Sequence, residues 1–398
     1  MRIFPLNGTF KLCKKLPSTI SDAAHIVPIM EADFLKFNAY FASRIYEMQP
    51  QSAFNQLNKM EFRPFEGFVF TVSPFNFTSI ASNLNMAPVM MGNTTVWKPA
   101  TTSLLSKYYL MKVFQEVGLP EGVINFVPGN GALIGKQMLE SPDLAGIHFT
   151  GSNNTFNSLW QGVASQLTHY KSYPRLIGET GGKNFIFVHP SASVTELAVN
   201  AFRGAFEYQG QKCSAASRMY VPALLWPSVK SELIRISSDA KMGDVEDPLN
   251  FINAVIDEAS FHNCLEFINY AKNSDEAEIL AVGNGDKSTG YFVEPTIIVT
   301  TNPRFRTMEE EIFGPVLTIF VYADDKLEET IDICNTTSPY GLNGAVFARD
   351  RVAASSMCEQ LRYAAGNFYI NDKPTGAIVG LQPFGGSRAS GTNDKAGR

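Results

Sequence analysis

The chain has little of what marks a metal, membrane or nucleic-acid protein. Its five cysteines, Cys13, Cys213, Cys264, Cys334 and Cys358, form no C-x-x-C pair and are odd in number. That pattern excludes a disulfide framework and a zinc site, and it fits a reducing compartment. The five histidines are equally dispersed, which argues against metal chemistry altogether. No apolar run approaches the roughly 20 residues of a membrane span. No basic run or basic-aromatic stripe is present, and a formal charge of −5 with a pI near 5.7 argues against nucleic acid or an acidic membrane as partner. A small-molecule ligand is the class that remains.

A strict G-x-G-x-x-G fingerprint is missing too. Gly129-Asn130-Gly131-Ala132-Leu133-Ile134-Gly135 has its glycines one position out of register, and a plain turn accounts for it. There is no internal repeat and no low-complexity segment. The first acidic residue is Asp22, after Arg2, Lys11, Lys14 and Lys15. Such a start resembles an organelle transit peptide, with an irregular N-terminus as the alternative.

A length of 398 residues exceeds a single core and predicts two domains. Apolar residues at helical spacing predict a packing helix over 31–47, and the polar stretch 49–64 reads as a connection or projecting hairpin. Strands are expected at 67–72, 94–97, 123–127, 144–149 and 176–178, with helices at 101–118, 131–139 and 152–164. A second alternating block follows: strand 185–188, helix 194–206, strand 219–221, helix 225–240, helix 262–272, strand 292–299, strand 316–322 and helix 327–334. The glycine-rich end from Asn371 reads as loop. Alternation of this kind predicts an α/β fold with parallel sheets, ligands at the carboxyl ends of the strands and a domain boundary near Thr180.

Chemistry concentrates in a few stretches. In Glu207-Tyr208-Gln209-Gly210-Gln211-Lys212-Cys213-Ser214-Ala215 a thiol sits where a helix stops before a strand. Gly210 frees the backbone, and Lys212 and Ser214 offer a cation and a hydroxyl that favour thiolate. Taken alone, Cys213 reads equally well as a packed hydrophobe or as a nucleophile. Phe149-Thr150-Gly151-Ser152-Asn153 is a strand ending in glycine before a helix start, where free amides can hold a pyrophosphate. Lys98 at a strand end suits a ribose or phosphate, although a solvated lysine explains it as well. Glu179, inside Gly178-Glu179-Thr180-Gly181-Gly182-Lys183, is placed as a general base. The carboxylates Glu309, Glu310 and Glu311 precede Ile312-Phe313-Gly314-Pro315, a solvated cluster or an acceptor for ribose hydroxyls.

Together these motifs resemble the aldehyde dehydrogenase family. Ser73-Pro74-Phe75-Asn76, Trp97-Lys98-Pro99, Phe149-Thr150-Gly151-Ser152, Glu179 with Gly181-Gly182-Lys183, Gly210-Gln211-Lys212-Cys213 and Glu311-Ile312-Phe313-Gly314-Pro315 occur in the family's order, and the resemblance covers about residues 25–398. Ala205-Phe206-Glu207-Tyr208, Asn367-Phe368-Tyr369-Ile370-Asn371-Asp372-Lys373, Pro383-Phe384-Gly385-Gly386 and Gly391-Thr392-Asn393-Asp394-Lys395 are most similar to the branch that oxidises L-glutamate γ-semialdehyde, the open form of Δ1-pyrroline-5-carboxylate.

The resemblance implies a Rossmann-type NAD-binding domain over 22–48 and 67–180, an oligomerisation hairpin over 49–66, a catalytic α/β domain over 181–385 and a tail over 386–398. It implies Cys213 as nucleophile, Glu179 as base and Asn76 as oxyanion donor. For NAD it implies Gly151, Ser152, Asn153, Asn154 and Thr155 at the pyrophosphate, Lys98 at one ribose, Glu311 at the nicotinamide ribose, Phe313 beside the ring, and Ser73 with Asn76 on the floor. For the substrate it implies Gly376 and Ala377 at the α-carboxylate, Ser214 as a hydroxyl donor, Phe384 against the aliphatic chain and Lys212 as charge. No metal is implied. The expected partners are a small-molecule substrate and a dimer-based homo-oligomer. The expected compartment is the mitochondrial matrix, with the cytoplasm as alternative. Thr101 stands where the family commonly carries an acidic residue, so that position does not argue for NAD over NADP. Measured against the family, the chain is expected to lack a long N-terminal portion and the C-terminal strand, and the competing expectations are a dehydrogenase for another aldehyde or an inactive truncated form that only binds nucleotide or partner subunits.

Overall fold

The computed structural model describes residues 27–396. The basic start and Cys13 lie outside the described residues, as do the first residues of the segment expected to begin at 22. Among the described residues two compact units are formed, one from 27–179, Ile378–Pro383 and 394–396, the other from Thr180–Ala377 with Phe384–Asn393.

The first unit is built on β1 (Phe68–Ser73), β2 (Thr94–Pro99), β3 (Ile124–Phe126), β4 (Leu144–Thr150) and β5 (Arg175–Glu179), all parallel in the order β3-β2-β1-β4-β5. Its helices are α1 (Val27–Glu47), α2 (Thr78–Met90), α3 (Leu104–Glu116), α4 (Gly131–Leu139) and α5 (Asn153–Ala164). Strand order reverses beside β1, so its carboxyl end is the switch point at which such sheets bind ligands. Phe70, Ile147, Phe149, Phe156 and Leu159 form the core between α5 and the sheet.

Helix α2 has no counterpart in the sequence reading, and its composition explains why. Its buried face is Thr78, Ser79, Ala81, Ser82, Asn83, Leu84 and Asn85, largely polar, so no apolar stripe signals it. Part of this polarity is satisfied internally, while the hydroxyls of Ser79 and Ser82 have no hydrogen-bond partner among the described residues. Asn85 Oδ1 accepts from Thr71 Oγ1 at 2.6 Å and from Thr95 Oγ1 at 3.2 Å, and its amide donates to Ala81. Residues 49–66, read as a connection or hairpin, double back without a strand. Gln49 Oε1 accepts from the Met60 amide and Asn58 donates to the Gln51 carbonyl, while Phe54 and Leu57 stand 102% and 86% exposed.

The second unit holds β6 (Asn184–Val188), α6 (Val194–Phe206), β7 (Ala216–Pro222), α7 (Trp226–Asp239), α8 (Glu258–Lys272), β8 (Ala277–Ala281), β9 (Thr296–Thr300), β10 (Val316–Tyr322), α9 (Leu327–Thr336), β11 (Asn343–Phe347), α10 (Arg351–Gln360) and β12 (Asn367–Ile370). Its sheet runs β12-β11-β6-β7-β10-β9-β8, parallel except for the edge strand β8. The single strand expected over 292–299 is broken. Phe292–Val293 pairs with Gly285–Asp286 in a ribbon, and β9 starts at Thr296 after Pro295, which cannot donate to a ladder. The tail is loop except where Ser387–Arg388 pairs with Tyr340–Gly341.

Candidate active site

Helix α6 ends at Phe206, and the next four residues form one tight turn, Glu207–Gly210. Tyr208, Gln209 and Gly210 have φ of +61°, +57° and +64°. Two successive non-glycine residues in the left-handed region cost of order 1 to 3 kcal/mol each, and the buried surroundings of this turn hold them there. At Gly210 there is no alternative to glycine. A Cβ would stand 2.3 Å from the Gly314 carbonyl oxygen and 2.9 Å from that of Ala205.

After this turn the chain delivers Cys213 half-exposed, just before β7. Its carbonyl accepts from Asn184 Nδ2 at 2.7 Å; the same amide reaches Ala215 O, and Asn184 Oδ1 accepts from the Asn343 amide. One side chain at the start of β6 therefore ties the thiol loop to two strands. Gly182 is the third support, since a Cβ there would meet the Cys213 carbonyl at 2.5 Å.

Glu311 is anchored to the same backbone. Its Oε1 accepts from the Gly182 amide at 2.7 Å, and a Cβ on Gly181 would collide with its carboxylate. Burial pushes its carboxyl up to about 7, against the lowering effects of the Gly182 amide and Lys183. Phe313 is held at φ +56°. The loop carrying it is fixed by Asn263, which donates to the Ile312 carbonyl, and by the seating of Gly314 on Cys264.

A charge cluster that the sequence reading did not single out lies beside the thiol turn. The buried carboxylate of Glu207 receives Arg203, Lys212 at 3.3 Å and Lys373 at 3.7 Å. Burial alone would raise its pKa, but Lys212, Lys373 and Arg203 hold it below the usual carboxylate range. Three cations around one carboxylate leave an excess of positive charge. Lys373 Nζ lies 3.5 Å from the position of a Cβ on Gly376, whose φ is +97°. Ser214 Oγ meets Thr375 Oγ1 at 2.8 Å, and Asn343 donates to the Pro374 carbonyl. The Lys373–Gly376 loop is thereby fixed beside the residue following the thiol. Ala377 and Phe384 are both partly buried in the same unit. Lys212 and Ser214, expected to act on the thiol, thus direct their polar atoms to Glu207 and Thr375. Glu207 and Lys373 were legible as family-like residues but not as a pair, because 166 positions separate them.

In the other unit, Ser152 caps α5 by accepting from the Thr155 amide and meets Thr155 Oγ1 at 2.8 Å. First-turn amides of a helix have no partner within it, and here they follow the carboxyl end of β4, with Asn153 and Asn154 in that turn. Gly151 is needed for packing, since a Cβ would strike the Phe149 ring at 2.7 Å; its amide donates to the Glu179 carbonyl at 3.2 Å. Glu179 ends β5 opposite Thr150 in the ladder. Lys98, near the end of β2, points at the start of α4, with Nζ 3.5 Å from a Cβ on Gly131; burial lowers its pKa. The out-of-register glycine stretch is therefore the cap of α4, where Asn130 accepts from Ala132 and Leu133. Ser73 is buried and accepts from the Trp97 indole at 2.9 Å, and Asn76 is buried in the turn between β1 and α2. A capped helix start and a lysine beside a second helix start are a fitting donor set for a dinucleotide's phosphates and ribose.

A model of the aldehyde dehydrogenase family matches residues 12–398. Among curated relatives, the mitochondrial Δ1-pyrroline-5-carboxylate dehydrogenase of Dictyostelium discoideum is 52% identical over 368 residues, covering 92% of this chain and 66% of the relative. That of Homo sapiens is 50% identical over 366 residues, covering 92% and 65%. The chain thus spans about two thirds of the length of these relatives. The crystal structure of the Mycobacterium tuberculosis Δ-pyrroline-5-carboxylate dehydrogenase bound with NAD superposes with a TM-score of 0.92 at 45% identity, covering 97% of this chain and 71% of that one.

Proposed function

The chain belongs to the aldehyde dehydrogenase family, and on that premise we propose that it oxidises L-glutamate γ-semialdehyde to L-glutamate with NAD, as a step of proline degradation. The observation that carries the substrate is the excess of positive charge around Glu207 beside the Cys213 turn, next to the Gly376 backbone. An aldehyde bearing an α-carboxylate is what such a nest and its cations recognise. Relatives of about 50% identity that carry the Δ1-pyrroline-5-carboxylate dehydrogenase name support the same reading.

In this reading the Cys213 thiolate adds to the aldehyde carbon. The resulting oxyanion takes hydrogen bonds from the Asn76 side chain and the Cys213 amide, preorganised donors of a kind worth about 2.7 to 4 kcal/mol each in the barrier. When bound, the nicotinamide supplies the acceptor for the two electrons that aldehyde oxidation releases. What stays on the protein is a thioester at Sγ, and Glu179 takes a proton from the water that hydrolyses it, returning the thiol and releasing the acid. In the same reading Gly151 to Thr155, Lys98 and Glu311 would hold the dinucleotide, with Phe313 at the ring and Ser73 and Asn76 on the floor. At the substrate, Gly376 and Ala377 hold the α-carboxylate, and Phe384 packs on the aliphatic chain. The mitochondrial names of the relatives support the matrix as compartment, and the exposed Phe54 and Leu57 support a homo-oligomer assembled through the 49–66 loop.

Two outcomes test the assignments. Lys373→Met raises KM for the semialdehyde about tenfold or more, the scale of one charged hydrogen bond, while KM for an uncharged aliphatic aldehyde stays put in steady-state assays; equal losses on both substrates would detach the cluster from substrate choice. Ionised carboxylate is the better acceptor for ribose hydroxyls, and the Glu311 carboxyl sits up near 7. NAD affinity therefore rises with pH through about 7 in calorimetric titrations, and Glu311→Gln flattens that profile.

A further inference from the structure

The first unit contains a buried lysine with no part in the chemistry above. Lys107 lies in α3 with its side chain fully enclosed, and burial alone, with no carboxylate among the described residues beside it, acts on its charge. Burying an ammonium without a counter-ion is costly, and desolvation pushes this one down to about 7. Such a cost at an otherwise ordinary helix position calls for a reason, and the contacts of Nζ supply one.

Nζ donates to the Ser103 hydroxyl at 2.9 Å and to the Phe75 carbonyl at 3.3 Å. Phe75 belongs to the turn that leaves β1, and its carbonyl carbon is bonded to the nitrogen of Asn76. The support continues around it. Thr78 Oγ1 donates to Ser106 Oγ, which donates to the Ser103 carbonyl. Thus α3 grips both sides of the Asn76 turn, once through Lys107 at Phe75 and once through Ser106 at Thr78. Both charge states of the side chain keep N–H donors for these contacts, so the grip does not depend on the ammonium form.

We propose that Lys107 is a positioning residue for the oxidation, clamping the Phe75 carbonyl so that the Asn76 side chain is held where the oxyanion forms. The proposal rests on the reading of Asn76 as an oxyanion donor. Misplacing a catalytic group by about 1 Å can cost on the order of a hundredfold, so the loss of a single clamp on a turn has a readable kinetic effect.

The test is a double-mutant cycle on the whole chain with NAD and the semialdehyde. Lys107→Met lowers kcat about tenfold or more with KM for NAD and for aldehyde little changed. In an Asn76→Ala background, itself down by roughly 10² to 10³ in kcat, the same substitution has no further effect. Lys107→Gln, whose amide ends one bond short of the ammonium position, serves as the removal variant if the buried methionine does not fold. Multiplicative losses in the cycle, or a Lys107 variant with unchanged kcat, overturn the proposal. An Asn76→Ala variant that retains full kcat overturns the oxyanion reading instead, and so separates the two failures.

Discussion

Cys213→Ser removes aldehyde oxidation, with kcat reduced by at least about 10⁴-fold, as for a nucleophile acting in a cooperating set. The size of the effect follows from the chemistry of the replacement. A serine hydroxyl, with a pKa far above that of a thiol, is a weak nucleophile at neutral pH. The substitution leaves the loop in place. The loop is held by backbone contacts at the Cys213 carbonyl, through Asn184 and the close approach of Gly182, none of which involves sulfur. Thermal unfolding and NAD binding by calorimetry therefore match the parent chain, and the absorbance of reduced dinucleotide separates the two. A serine variant that retains a tenth of the activity would remove Cys213 from the role of nucleophile.

Gly210→Ala has the second largest effect, and it acts through structure. The residue needs φ of +64°, which costs an L side chain about 1 to 2 kcal/mol, and its Cβ would stand 2.3 Å from the Gly314 carbonyl oxygen. The obstruction is backbone and cannot rotate away, so either the thiol turn or the Glu311–Pro315 loop must shift. The expected result is a loss of several kcal/mol of stability, at the exceptional end for single substitutions, and a fall of at least about a hundredfold in kcat from misplacement of the thiol. Chemical denaturation with parallel kinetics checks it. Gly204→Ala in α6 is the comparison, because its Cβ would approach the Lys373 Cβ at 3.2 Å, a contact that a small adjustment relieves. Equal behaviour of the two variants would contradict the account of the turn.

The fold was legible where a buried stripe or an apolar run announced itself. Helices Gly131–Leu139 and Val194–Phe206 and strand Val316–Tyr322 follow directly from periodicity and capping residues. Helix α2 was hidden because it buries Thr78, Ser79, Ser82 and Asn85, a largely polar face that leaves no apolar stripe for periodicity to detect. Strand β11 was hidden because Asn343-Gly344-Ala345-Val346-Phe347 carries few β-branched residues, and Gly344 is there because a Cβ would meet the Phe185 ring at 2.2 Å. The site was legible one motif at a time. The carboxylate-to-amide contact of Glu311 with Gly182 and the Glu207–Lys373 pair join residues more than a hundred positions apart, and only folding brings such groups together. Lys107 had no signal at all, since a lysine in a helix reads as solvated until its burial is seen.

The central claim is that this chain, through Cys213, oxidises an aldehyde carrying an α-carboxylate. The most direct measurement incubates the purified chain with Δ1-pyrroline-5-carboxylate and NAD, following reduced dinucleotide by absorbance and glutamate by mass spectrometry. The account predicts the two products in equal amounts, formed by the parent chain and absent with Cys213→Ser. Bound NAD with neither product formed would contradict it.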